Sequence, residues 1–188
     1  MRVLEAYETS VGYSWTLTSR LADMLEKSKL IYGERDKSFT VLGIEFEENG
    51  PQVWYPFSSE YIAIQLSNHS KDDMICGCYE LAHESVHLLS PLGKRGANVL
   101  EEGLATKFAI DYVHQEFNHI QNVSVKSYQL AHDLVCELLK LDEFAIKKLR
   151  VDEPVISEFT PNLLLKHYPT LDVAVANELC NTFDRNAT

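Results

Sequence analysis

Apolar residues recur at helical spacing over residues 16–31 (TLTSRLADMLEKSKLI), at Leu17, Leu21, Met24, Leu25 and Leu30, and Gly33 supplies a stop. The period then changes. Ser38–Glu47 (SFTVLGIEFE) is β-branched and aromatic, Glu48-Asn49-Gly50-Pro51 reads as a turn, and Gln52–Phe57 and Tyr61–Leu66 (YIAIQL) are two further strand-like runs. Three short strands separated by turns predict an antiparallel meander. Helical spacing returns over Met74–Leu89, where Ser70 and Asp73 resemble a capping box at the start and Ser90-Pro91 ends the run. Leu92–Ala97 (LGKRGA) is a polar loop. Helices follow from about Val99 to Phe117 and from about Ser124 to Leu141, the second with Val125, Tyr128, Ala131, His132, Val135 and Leu138 along one face. Shorter helices are expected near 142–150, 161–168 and 171–183, with Pro161 suited to a first helical position. A helix, then strands, then helices is an α+β order.

No repeat or long linker divides the 188 residues. The expectation is one domain, with an N-terminal lobe to about residue 91 and a helical C-terminal lobe from about residue 92. A chain of this length buries a core without disulfides or a structural metal, so a bound metal is free for chemistry. The formal net charge of −11 argues against a nucleic-acid partner, which needs a basic face, and against an anionic membrane surface. No stretch approaches the roughly 18 apolar residues of a membrane span. The start, MRVLEAYETSVGYSW, has no apolar signal region, and Cys76, Cys78, Cys136 and Cys180 form no CxxC pairs. These features predict a cytoplasmic protein with reduced thiols.

The chemistry concentrates in His83-Glu84-Ser85-Val86-His87. On a helix, residues four apart share a face, so both imidazoles can reach one metal ion. Glu84 points about a quarter-turn away, near the metal without being a ligand, as a base for metal-bound water must. Catalytic zinc takes three protein ligands and leaves a position for water, so a third ligand must come from elsewhere. Downstream stands Glu101-Glu102-Gly103-Leu104-Ala105, and a small Gly103 would let the two helices approach closely. Asp111 and His114 are rival ligands. Cys76 and Cys78 diverge at i and i+2 and read as packing residues.

Over about residues 74–110 the chain resembles the gluzincins, HExxH zinc peptidases whose third ligand is a Glu on the next helix. The segment Glu102-Gly103-Leu104-Ala105 is similar to the Glu-Gly-x-Ala element of their aminopeptidase branch, which implies the ligand set His83, His87 and Glu102 for Zn2+. Glu101 stands where the family often has Asn. Thr106 stands where thermolysin-like members carry an Asp that supports the first His. The resemblance implies a zincin-like fold, with a three-stranded sheet before the site helix and its last strand, Tyr61–Leu66, bordering the cleft as a partner for extended peptide. It also implies a Tyr or His donor for the oxyanion, for which Tyr128 and His132 are the candidates, a buried Tyr and a core His being the alternative; Tyr112 and His114 are further choices. The expected function is hydrolysis of peptide bonds in a peptide or protein substrate, with Glu84 as general base on a zinc-bound water. The alternatives are a latent zincin-fold regulatory or binding module, as in a toxin, defence or repressor-cleaving system, and metal-dependent hydrolysis of a non-peptide bond.

Overall fold

The first helices begin where a side chain takes the free amides of the opening turn. The computed structural model describes residues 3–57, 60–94 and 96–186. In it α1 spans Leu17–Tyr32 behind a capping box: the Thr16 hydroxyl accepts from the Ser19 amide, and Ser19 Oγ accepts from the Thr16 amide at 2.8 Å. Gly33 closes α1 at φ 97°, in the left-handed region that favours glycine. A two-residue ladder, β1 (Glu8–Thr9) with β2 (Gly12–Tyr13), precedes this helix.

The main sheet contains β3 (Thr40–Glu47), β4 (Gln52–Trp54) and β5 (Tyr61–Ser67). The expected meander is not formed. The strand order is β3-β5-β4, with β5 parallel to β3 and antiparallel to β4. Residues 48–51 are a turn, but they carry the chain over the end of β5 instead of closing a hairpin. Gly50 allows this: a Cβ there would lie 2.7 Å from the Leu66 carbonyl carbon and 2.8 Å from its oxygen. The polar face of the sheet is tied across all three strands. Gln65 Nε2 donates to Glu45 Oε1 at 2.7 Å, and Gln52 Nε2 donates to Gln65 Oε1 at 2.6 Å. Strand Tyr61–Leu66 is therefore central and paired on both sides, and β4 is the edge that borders the cleft.

The site helix α2 spans Met74–His87. Its cap is Asp73 alone, whose Oδ1 accepts from the amides of Ile75 and Cys76 at 3.0 Å each. Ser70 lies instead in a 3-10 turn and helps hold Glu80. The Glu80 carboxylate accepts from the amide and hydroxyl of Ser67 at 2.9 and 2.6 Å, which fixes the middle of α2 to the end of β5. From Gly77 to Val86 the helix is buried almost all round, packed against α1, β5 and α3 (Val99–Phe117).

Then follow α4 (Lys126–Leu141), α5 (Ala145–Asp152), α6 (Pro161–His167) and α7 (Val173–Leu179). The fold is α+β, with seven helices and sheets of two and three strands among the described residues. One cluster of buried apolar side chains runs from Val3 to Leu179. Arg150 ties element ends together, donating to the carbonyls of Tyr32, Glu34, Leu89 and Pro154 at 2.7–3.0 Å. No helix among the described residues is long and apolar enough to cross a membrane.

Candidate metal centre and its cleft

Helix periodicity places His83 and His87 on one face of α2, with ring centroids 5.2 Å apart. Helix α3 starts with its cap, Asn98, whose Oδ1 accepts from the Glu101 amide at 2.8 Å. That cap turns Glu102, in the first helical turn, towards both imidazoles. His83 Nε2 lies 3.2 Å from Glu102 Oε2, and His87 Nε2 lies 3.8 Å from Glu102 Oε1. His83, His87 and Glu102 each offer one ligand atom, all within 4.8 Å of one another. Separations up to 4.8 Å are within reach of a single metal ion held by these three side chains. Of the rival ligands, Asp111 pairs with Lys107 at 2.7 Å, and neither it nor His114 belongs to the cluster.

The electrostatics ask for a cation at the same place. Burial alone would lower the His87 pKa, but the Glu102 charge, and the hydrogen bond and charge of Glu101, push it up to about 10. Glu102 shows the complementary shift. Burial raises its pKa, and the charge of His87 and the hydrogen bond and charge of His83 outweigh that and bring it down. A proton on His87 and a cation at its Nε2 answer the same demand.

Glu101 is a site residue that the sequence did not single out. It is 3% exposed, and its Oε1 accepts from His87 Nδ1 at 2.8 Å. Its other oxygen accepts from the Ser157 hydroxyl. This carboxylate orients one imidazole from behind, the arrangement that holds metal-binding histidines in one tautomer. The support therefore reaches His87 through Glu101. Thr106 donates to the Glu102 carbonyl at 2.8 Å, within its own helix. The signal for Glu101 was faint: two adjacent acids directly after an Asn cap.

Glu84 is 4% exposed and lines both cavities that flank the cluster. Among the described residues no hydrogen bond reaches its carboxylate. Burial raises its pKa against the pull of His87 and His83. A buried, unpartnered carboxylate facing a cavity is placed to exchange protons.

The first cavity, about 250 Å3, runs from the two imidazoles along Pro51 and β4 (Gln52, Val53) to Leu92 and Lys94. The second, about 190 Å3, lies between Tyr79, residues 121–125 and Arg185. Tyr128 faces both, with its ring 5.7 Å from His83 and 4.8 Å from Phe183. Gly103 is what brings Tyr128 there. It does not face α2, as its spacing suggested. A Cβ on it would run into the Ala131 backbone, so it lets α4 close on α3.

His132 does not join the site. Its Nδ1 lies 3.1 Å from Asp133 Oδ1 and its Nε2 lies 3.7 Å from Cys136 Sγ, and it lines neither cavity. One helical turn from Tyr128 it lies beyond the cleft, so of the two expected donors only Tyr128 is in reach. Cys76 and Cys78 diverge as expected, towards Glu80 and Met74, and all four thiols are free. The chain matches no protein-family model, and no curated protein and no solved structure shows significant similarity to it.

Proposed function

We propose that this chain is a cytoplasmic zinc-dependent peptidase with a zincin-like fold of the gluzincin type, acting on a peptide or protein substrate. The observation that carries the reading is the meeting of His83, His87 and Glu102, with ligand atoms within 4.8 Å of one another, beside the unpartnered Glu84. Bound zinc would supply Lewis acidity, lowering the pKa of a water and polarising the scissile carbonyl. Glu102 and the two imidazoles hold the ion, and Glu101 keeps His87 turned towards it. Glu84 takes the proton from the attacking water and gives it to the leaving nitrogen. The Tyr128 hydroxyl, on a ring beside His83 and lining both cavities, is the donor for the oxygen that gains charge, and burial, followed by the Glu102 charge, raises its pKa and keeps it protonated. Edge strand β4 lies along the first cavity, where an extended peptide can add to the sheet.

The small size of both cavities favours a second reading, a latent zincin-fold module that opens when a partner binds. The test is zinc content together with cleavage of a peptide library. The wild type should hold about one zinc and cleave. Glu84→Gln should hold zinc and lose cleavage by at least about a hundredfold, the lower end of a general base's contribution. His83→Ala, His87→Ala and Glu102→Ala should each lose zinc. Zinc retained in Glu102→Ala, or wild-type rates in Glu84→Gln, overturns the assignment. Zinc without cleavage by the wild type favours the latent module.

A further inference from the structure

Arg185 lines the second cavity with His83, Glu84 and Tyr128, and it is the only Lys or Arg among that cavity's lining residues. Its position is fixed by the chain around it. Ser127 Oγ donates to the Arg185 carbonyl at 2.7 Å, and the Phe183 amide donates to the Ala97 carbonyl at 2.9 Å. Thr182 bridges to Asn98, and the Val99 amide donates to Asn181 O at 2.9 Å. The segment from Asn181 to Arg185 is thus laid across the starts of α3 and α4, which carry Glu102 and Tyr128.

The Arg185 guanidinium meets no carboxylate among the described residues, although the chain has 28 acidic and 17 basic side chains. Lys27, Lys107, Lys140, Lys148 and Lys166 have acidic partners within 2.8 Å, whereas Arg35, Lys71, Lys94, Lys126, Lys147 and Arg150, like Arg185, form no ion pair among the described residues; what sets Arg185 apart from them is its place in the second cavity. Of the acids in the cavity, Glu80 accepts from Ser67 and Ser70, and Glu84 is buried without a hydrogen bond among the described residues. An exposed arginine whose backbone is held, whose guanidinium has no carboxylate partner among the described residues and which opens into a cavity beside His83 and Glu84 is a receptor for a planar anion, which its fork can hold through two parallel hydrogen bonds.

We propose, resting on the peptidase reading above, that Arg185 is a specificity residue that binds a carboxylate of the substrate in the second cavity, on one side of the scissile bond. Either a C-terminal α-carboxylate or an Asp or Glu side chain presents this group. The net charge of −11 makes the local cation more selective, because the rest of the surface repels acidic peptides.

The test uses zinc-loaded protein and three matched hexapeptide pools: free C-terminal acids, C-terminal amides, and amides with Glu replacing Gln. Binding is measured by calorimetry at low ionic strength, and cleavage of the same pools is followed by mass spectrometry. At least one acid-bearing pool should bind about tenfold more tightly than the neutral amides, the size of a charge-assisted pair. The pool that gains identifies the source of the carboxylate. Arg185→Ala should reduce its binding to the neutral level with zinc content unchanged, and Arg185→Lys should keep part of the preference. Equal binding of all pools, no binding of any, or a preference that survives Arg185→Ala overturns the proposal. Acid preference without cleavage upholds the carboxylate site and removes the peptidase reading, whereas cleavage without preference does the reverse.

Discussion

Glu101 and Glu102 are chain neighbours that a helix sends in different directions. Glu102 faces the Nε2 atoms of both imidazoles, and Glu101 reaches behind His87 to its Nδ1. The consequence is a measurable exchange of one cation for another. The two carboxylates keep His87 protonated well above neutral pH, so zinc binding at pH 7 should release about one proton per chain. Calorimetry in buffers of different ionisation heat reads that number, and zero release would show that the His87 proton is not the one displaced. Glu101→Gln should weaken zinc binding about 10–100-fold, the usual cost of removing a carboxylate behind a ligating histidine. Unchanged affinity would reduce Glu101 to a packing residue. The HExxH spacing made His83, Glu84 and His87 legible from the sequence, because a helix needs no tertiary information to align positions i and i+4. Glu101 was not legible, because its role depends on Ser157, which arrives from 56 residues further along the chain.

At the scale of elements, helix boundaries were legible and sheet order was not. The expected helix from Val99 to Phe117 forms with those limits, since Asn98 caps its start and Asn118, at φ 51°, closes its end. Periodicity reports that a strand exists but carries no information on its neighbours, and the four-residue turn at 48–51 suits a hairpin equally well. Only Gly50, pressed on the Leu66 backbone, marks the crossing. Gly103 is a similar case. Replacing it with Ala would favour the isolated helix by about 1 kcal/mol. The new methyl would, however, meet the Ala131 backbone, which has no flexible end to move aside, and overpacking of this kind costs about 1–3 kcal/mol. The clash should win. Gly103→Ala is expected to lower stability by urea titration and to shift Tyr128 away from His83. A variant as stable as the wild type would mean that α3 and α4 do not close as tightly as this.

Across the whole molecule, the helix that opens the fold is bound to the far end of the helix bearing Glu102. Lys27 on α1 donates to Asp23 at 2.8 Å and to Glu116 of α3 at 2.6 Å, while Arg20 donates to Glu116 at 2.5 Å and Tyr112 donates to Asp23 at 2.9 Å. Burial on its own would raise the Asp23 pKa, but the bonds from Lys27 and Tyr112 and the charges of Lys27 and Arg20 leave it lowered. Glu116 is lowered chiefly by its hydrogen bond from Lys27, against burial, with Arg20 adding to the effect. Both carboxylates thus have folded pKa values below their unfolded ones. Their contribution to stability is fully present above the unfolded values, roughly pH 4, and is lost as pH falls through the folded ones. Asp23→Asn should therefore lower Tm at pH 7, where the wild type has its ion pairs. The gap between variant and wild type should narrow as pH falls through the lowered titration range of the folded carboxyl, where the wild-type group also becomes neutral. Paired melts from pH 7 down to pH 2.5 measure it. A constant gap over that range would show that Asp23 acts by shape and hydrogen bonding alone, and that charge does not hold α1 to the helix bearing Glu102.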